Sequence, residues 1–242
     1  MRKVVVAVIV VVLVVAVLVA ADRVGANVAA GQISSKLQSQ LRLPQEPTTQ
    51  IQGEPFLTQW ASGHYQEIDV SLPTLSSSQV GIQNLTNEVT IQNLLARMRN
   101  VSTGSFAHSR ADVANTTAGS VELSGTVPYS SLPIPQGLQA SADGNRVKLA
   151  GTTTVRGLSA PVTAELAIQI NNGTVSFVPQ DIEVGNASVS SASAKAALKF
   201  DVDVSNLPYG AQLTSVQAAP GGLRATASAA NLKLSDLQRP QS

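Results

Sequence analysis

Asp143-Gly144-Asn145-Arg146-Val147-Lys148-Leu149, Asn172-Gly173-Thr174-Val175-Ser176-Phe177 and Gly221-Gly222-Leu223-Arg224-Ala225 repeat one pattern. In each, a glycine turn opens a segment in which apolar and polar side chains alternate, the period of two that gives a strand one core face and one wet face. The alternation recurs in Ile68, Val70 and Leu72 against Asp69 and Ser71, in Val80 and Ile82, in Val89 and Ile91, and in Val121 and Leu123. It returns in Phe200, Val202 and Val204 against Asp201 and Asp203. Residues 45–235 therefore read as a β-rich antiparallel meander. Two helical interruptions are expected. Leu94, Leu95 and Met98 stand at i, i+1 and i+4, with Arg97 and Arg99 turned outward, and the small-residue segment Ser190 to Leu198 forms the other. No linker of domain-separating length breaks the region, so it is one α+β domain, long enough for a sizeable core.

Upstream of the meander the pattern changes twice. Val4 to Val19 holds eleven Val, two Leu, one Ile and two Ala, and the uncharged run continues through Ala20 and Ala21. Eighteen such residues make a helix of about 27 Å, close to the ~30 Å hydrocarbon core of a bilayer. Arg2 and Lys3 hold its start in the cytoplasm, which places everything after Asp22 outside. Residues 1–21 thus read as a signal anchor or a signal peptide; Val19-Ala20-Ala21 is a tolerable small-residue cleavage site, but the run exceeds the usual length of a cleaved signal. From residue 22 to 43 the period becomes that of a helix, with Val24, Val28, Ile33, Leu37 and Leu41 along one stripe and Pro44 as terminator. An amphipathic helix is expected there. Residues 22–238 then form the single exported domain, and 239–242 a frayed tail.

Composition narrows the function. Sixteen Lys and Arg balance fifteen Asp and Glu, charged residues are 13% of the chain, aromatics 3%, and there is no cysteine. There is no basic field to collect nucleic acid, and no thiol for a disulfide, a zinc site or a nucleophile. No catalytic or nucleotide-binding motif is present, and no cofactor or metal is expected. His64 and His108 lie in polar loop contexts and lack advertised partners. The carboxylate pairs Glu67/Asp69, Asp181/Glu183 and Asp201/Asp203 flank apolar strand positions, which puts the acids on the solvated face. Five Asn-x-Ser/Thr sequons, beginning at Asn84, Asn100, Asn115, Asn172 and Asn186, carry no weight in a chain so rich in these residues. What remains to act with is shape and apolar surface.

Gly53-Glu54-Pro55-Phe56-Leu57-Thr58-Gln59, Gly63-His64-Tyr65 with the strand through Val70, Val127-Pro128-Tyr129, and Leu207-Pro208-Tyr209-Gly210-Ala211-Gln212-Leu213 with Gly221-Gly222-Leu223 resemble, in order, the LmeA-like family of actinobacterial cell-envelope proteins. The resemblance implies a tubular lipid-binding (TULIP-like) fold, a long twisted antiparallel sheet wrapped around an amphipathic helix, with an apolar groove for acyl chains. It implies a protein on the outer, periplasmic side of the plasma membrane. Its ligand would be a phospholipid or lipoglycan precursor, its role the support of lipid handling or mannan maturation, and an envelope glycosyltransferase a candidate partner. The family offers no catalytic residues to carry over, so none are assigned. By position, the groove candidates are Ile33, Leu37, Leu41, Phe56, Leu57, Trp60, Leu94, Leu95, Met98, Tyr129, Leu132 and Tyr209.

Two other functions compete. A hydrolase or transferase acting on lipid-linked glycan needs a convergent set such as His64, Asp69 and a serine. A structural or adaptor protein of the envelope needs an exposed apolar patch outside any groove.

Overall fold

A computed structural model of the chain describes residues 2–41, 43–76, 89–103, 116–155, 158–185, 191–205, 207 and 210–233. It begins with one long helix, α1 (Arg2–Leu41), of about 60 Å. The apolar run and the expected amphipathic helix are therefore one continuous element. Val-rich sequence is a poor helix former in water, but a helix satisfies every backbone group within itself, the requirement lipid imposes. Val12–Val19 project freely from the rest of the molecule. At the other end the Leu43 N–H returns to the Gln38 carbonyl at 3.0 Å, and Pro44 prevents another turn.

The remaining elements are β1 (Thr48–Gln52), the short helix α2 (Phe56–Ser62), β2 (His64–Ser76), β3 (Thr90–Ser102), β4 (Thr117–Pro128), a 3-10 turn (Tyr129–Ser131), β5 (Leu138–Asp143), β6 (Arg146–Val155), β7 (Leu158–Asn171), β8 (Thr174–Val184), α3 (Ser191–Leu198), β9 (Phe200–Asp203), β10 (Gln212–Ala219) and β11 (Gly222–Lys233). Among the described residues the strands form two antiparallel sheets. Sheet A has the order β1-β2-β3-β4-β11-β10, and sheet B is the plain meander β5-β6-β7-β8-β9. The class is the expected α+β, with antiparallel strands following an apolar helix; the structure adds the division into two sheets. α3 coincides with the expected second helix.

The glycine turns lie where the sequence puts them, with one shift. Asn172 and Gly173 both have positive φ, 46° and 78°, as a tight hairpin turn requires, and a Cβ on Gly173 would fall 2.6 Å from the Ser205 Cα. The last hairpin turns at Pro220 and Gly221, whose φ is 87°, so Gly222 is already the first residue of β11.

The helix expected at Leu94–Met98 is absent; these residues are in β3. Asn93 takes a positive φ of 50°, and the pairing with β4 slips between Gln92 and Leu95. A bulge breaks strict alternation, and the resulting apolar spacing resembles a helical one. Val80 and Ile82 lie outside the described residues.

Two cores result. Sheet B closes over Val147, Leu149, Leu166 and Phe177, all at 1% exposure or less, with Phe177 stacked on Phe200 at 4.4 Å between ring centroids. Tyr129, Leu132 and Leu223 complete this core from the β4-β11 end of sheet A. The second core joins the other end of sheet A to the helices. Ala26, Ala29 and Leu37 of α1 pack against Phe56, Tyr65, Ile68, Val70, Val101 and Val121, and Ser34 donates to the buried Thr49 hydroxyl at 2.9 Å.

This contact corrects the expected helix stripe. Val24 and Val28 are 62% and 56% exposed, and the face that packs contains Asp22, Ala26, Ala29, Ala30, Ser34 and Leu37. Close approach to a strand favours small residues, so alanine and serine supply the contact where valine was expected.

Candidate functional site

From the second core outward across its strands, sheet A presents an apolar face that is buried at β2 and only half-buried farther across. Register places the inward residues in rows across the strands. Ile68, Met98, Val121 and Ala229 form one row, and Val70, Ala96, Leu123, Ala227 and Leu213 the next. Beyond them Leu72 pairs with Leu94, and Gly125 with Ala225 and then Val216. On β2, Ile68, Val70 and Leu72 are buried, the first two in the cluster that takes in α1. Farther across, Leu94, Ala96, Met98, Leu123, Ala225 and Ala229 are each only half-buried. The β11 contribution, Ala225, Ala227 and Ala229, is a line of methyl groups where a strand would ordinarily carry Val or Ile. Side chains this short leave the face shallow in its middle, between α1 on one side and the sheet B core on the other.

The reverse face of the same strands is polar. Arg99 Nε donates to Glu67 at 2.8 Å and Arg97 Nε to Asp69 at 3.2 Å, with Glu122 opposite Arg97 on β4. The hydrogen bond to Glu67 pushes the Arg99 pKa further up. Glu67 and Asp69 are thus tied up in cross-strand ion pairs; Asp181, Glu183, Asp201 and Asp203 are exposed as expected, with Asp181 3.7 Å from Arg146 and Asp201 3.7 Å from Lys199. All charge on this part of sheet A is turned away from the apolar face.

The groove candidates divide. Leu37, Phe56 and Met98 meet in the α1–sheet A cluster, where Phe56 lies tilted against Tyr65 at 6.4 Å; Ile33, one turn before Leu37, is half-buried on the same side of α1. Leu94 lies two rows farther along, paired with Leu72. Leu95 pairs with Ser71 and Ser124 and so falls on the opposite face of the sheet. Tyr129 and Leu132 belong to the other core, with Tyr129 donating to the Ala219 carbonyl at 3.1 Å. Burial raises the pKa of both Tyr65 and Tyr129, in the latter partly offset by that bond. Leu57 and Trp60 are 40% and 49% exposed on α2. The Leu41 side chain and Tyr209 lie outside the described residues. The alanines of β11 were not among the candidates; their only trace in the sequence is the alternation Ala225-Thr226-Ala227-Ser228-Ala229.

α2 is held by polar contacts to its neighbours. The Asp22 carboxylate accepts the Phe56 and Leu57 N–H groups at its start. Gln59, 6% exposed, donates to the Gly53 carbonyl at 2.9 Å and accepts the Gln66 N–H at 2.8 Å, which fastens α2 to the β1–β2 connection.

The set of His64, Asp69 and a serine is not assembled. His64 is exposed with Nδ1 2.8 Å from the Ser62 carbonyl, and Asp69, five residues along an extended strand and so about 17 Å away, is engaged with Arg97. His108 lies outside the described residues. Among the described residues no three His, Cys, Asp or Glu side chains gather as metal ligands would.

Neither a curated protein nor a solved structure matches the chain. The sequence model of one family does match, over residues 20–228, which takes in the C-terminal half of α1, all of sheet B, and sheet A as far as the middle of β11. An apolar face without reactive groups, kept clear of charge, agrees with that family's description, and the chain belongs to the LmeA-like phospholipid-binding family.

Proposed function

We propose that this is an exported cell-envelope protein that shelters acyl chains of a phospholipid or lipoglycan precursor along the inner face of sheet A, in support of lipid handling or mannan maturation. Residues 1–21 are its anchor and 22–238 its lipid-binding domain. The half-covered belt of Leu94, Ala96, Met98, Leu123, Ala225 and Ala229 carries this reading, with Ile33 and Leu37 of α1 as one wall.

A C16 chain leaving water gains about 12 kcal/mol, at ~0.8 kcal/mol per CH₂, but leaving a bilayer it gains almost nothing. A face as apolar as the membrane is therefore enough, and it allows the chain to leave again. The unbroken course of α1 through Ala21 and Asp22 supports a retained anchor, which confines lipid capture to the adjacent leaflet on the outer side of the plasma membrane. Catalysis has no role here; an envelope glycosyltransferase acting on the sheltered lipid is the fitting partner.

Purification from the native host, solvent extraction and mass spectrometry test the reading. Co-extracted phospholipid or glycolipid in stoichiometric amount supports it, and lipid-free protein that takes up none from added vesicles overturns it.

A further inference from the structure

α2 is seated where α1 leaves its apolar run. Ala21 ends the uncharged stretch and Asp22, the next residue, caps α2. Gly25 faces α2 so closely that a Cβ there would lie 3.2 Å from Phe56 Cε1 and 3.9 Å from Leu57 Cδ2. At 1.5 Å per residue, Gly25 is about 6 Å along the axis beyond Ala21. That is the height at which a helix emerging from a ~30 Å hydrocarbon core enters the headgroup layer.

At this height α2 directs Leu57 and Trp60 outward. They are three residues apart on one helical face and 40% and 49% exposed. On the N-terminal side of this contact along α1, every described Val and Leu of Val12–Val19 is more than half exposed. An exposed ion pair between Arg23 and Glu54 stands beside them. An indole at the membrane–water boundary keeps its ring among the upper acyl segments and its N–H among the headgroups, while charged side chains at the same level remain hydrated.

We propose that α2 is an interfacial foot: Leu57 and Trp60 insert into the headgroup–acyl boundary of the bilayer that α1 crosses, and so set the height of the domain above the lipid. The inference rests on the anchored reading of α1 and is independent of whether sheet A holds acyl chains.

Trp60 is the single tryptophan of the chain, so its fluorescence reports this contact alone. The full chain is reconstituted into phosphatidylcholine–phosphatidylglycerol vesicles carrying a nitroxide either high on the acyl chain or near its methyl end. The expected result is a blue-shifted emission, loss of most of it to the shallow nitroxide, little loss to the deep one and weak quenching by aqueous acrylamide. Leu57→Glu is expected to shift the emission to the red and restore it in the presence of the shallow nitroxide. Emission of a solvated indole, open to acrylamide and untouched by either nitroxide, overturns the proposal. So does quenching that is strongest from the deep position, or that persists in detergent with stoichiometric nitroxide lipid, since the latter reports a bound ligand rather than a bilayer. Flotation of the chain with the vesicles separates the two premises: protein that floats with a solvated Trp60 refutes only the foot, and protein that does not float refutes the anchor itself.

Discussion

Asp22 and Phe56, thirty-four positions apart in sequence, are joined by a 2.9 Å hydrogen bond from the Phe56 N–H to the Asp22 carboxylate, and the Leu57 N–H reaches the same carboxylate at 2.7 Å. α2 has no cap of its own, because Pro55 stands at its N-cap position and offers no side-chain acceptor. The first charged residue after the apolar run thus starts the helix that leans on it.

Asp22→Ala is expected to cost about 1–2 kcal/mol, the usual loss for a helix cap, and to loosen α2 first. Asp22→Asn, which keeps one acceptor oxygen, is expected to fall between. Urea denaturation of the detergent-solubilised chain, followed through Trp60 on α2, checks both; an unchanged midpoint for Asp22→Ala contradicts the capping role.

Ala96→Leu and Ala225→Leu test whether the middle of the apolar face is open. Enlarging a residue in a filled core costs about 1–3 kcal/mol. On a half-covered face, each substitution is expected to stay within about 0.5 kcal/mol of the parent in the same denaturation measurement. Losses of the larger size at both positions mean that the protein's own side chains already occupy the space.

The raised phenol pKa values of Tyr65 and Tyr129 fix the sign of an alkaline effect. Unfolded tyrosine ionises near its ordinary value of about 10, whereas the folded state holds these two neutral to higher pH. Their contribution to stability is thus complete below that value and is lost as pH rises through the folded pKa. Absorbance titration at alkaline pH is expected to show late-ionising tyrosine, reduced in Tyr65→Phe and in Tyr129→Phe. Tyr129→Phe is also expected to cost about 1 kcal/mol, for its bond to the Ala219 carbonyl.

Arg97 lies between Glu67 and Asp69 on the polar face, at 3.4 and 3.2 Å. Ion pairs this close to solvent contribute little, so Arg97→Met is expected to cost about 1 kcal/mol or less. Arg97→Glu sets a fourth carboxylate beside Glu67, Asp69 and Glu122, and its larger penalty is expected to shrink as salt is added. Stability measured against ionic strength separates the two variants, while lipid binding, proposed for the other face, is expected to be unchanged in both.

What the sequence disclosed and what it hid follow from the range of the forces involved. Glycine turns and strand alternation are local, so the hairpins around Gly144 and Asn172-Gly173 were legible, as were α3 and the membrane-length run. The bulge at Asn93 depends on pairing with β4, so Leu94, Leu95 and Met98 read as a helix. The packing side of α1 was hidden because distant partners bury Asp22, Ala30 and Ser34 and half-bury Ala26 and Ala29, while Val24 and Val28 are left out. The apolar face was the least legible of all. Its floor comes from five strands, brought into register by sheet A, and much of it is alanine, which marks neither core nor site in a linear reading. Phe56 and Met98 draw notice in the sequence because their side chains are large; Ala96, Ala225 and Ala229 do not.

Native mass spectrometry of the full chain, extracted from the native host in mild detergent beside an Ala96→Phe variant, tests most directly the proposal that acyl chains lie on the inner face of sheet A. The parent is expected to carry about one phospholipid or glycolipid per chain, and the variant, with a phenyl ring across the middle of sheet A, to lose most of that lipid while remaining folded. Equal lipid occupancy in parent and folded variant, or a bare parent, would contradict the central claim that hydrocarbon lies along this face.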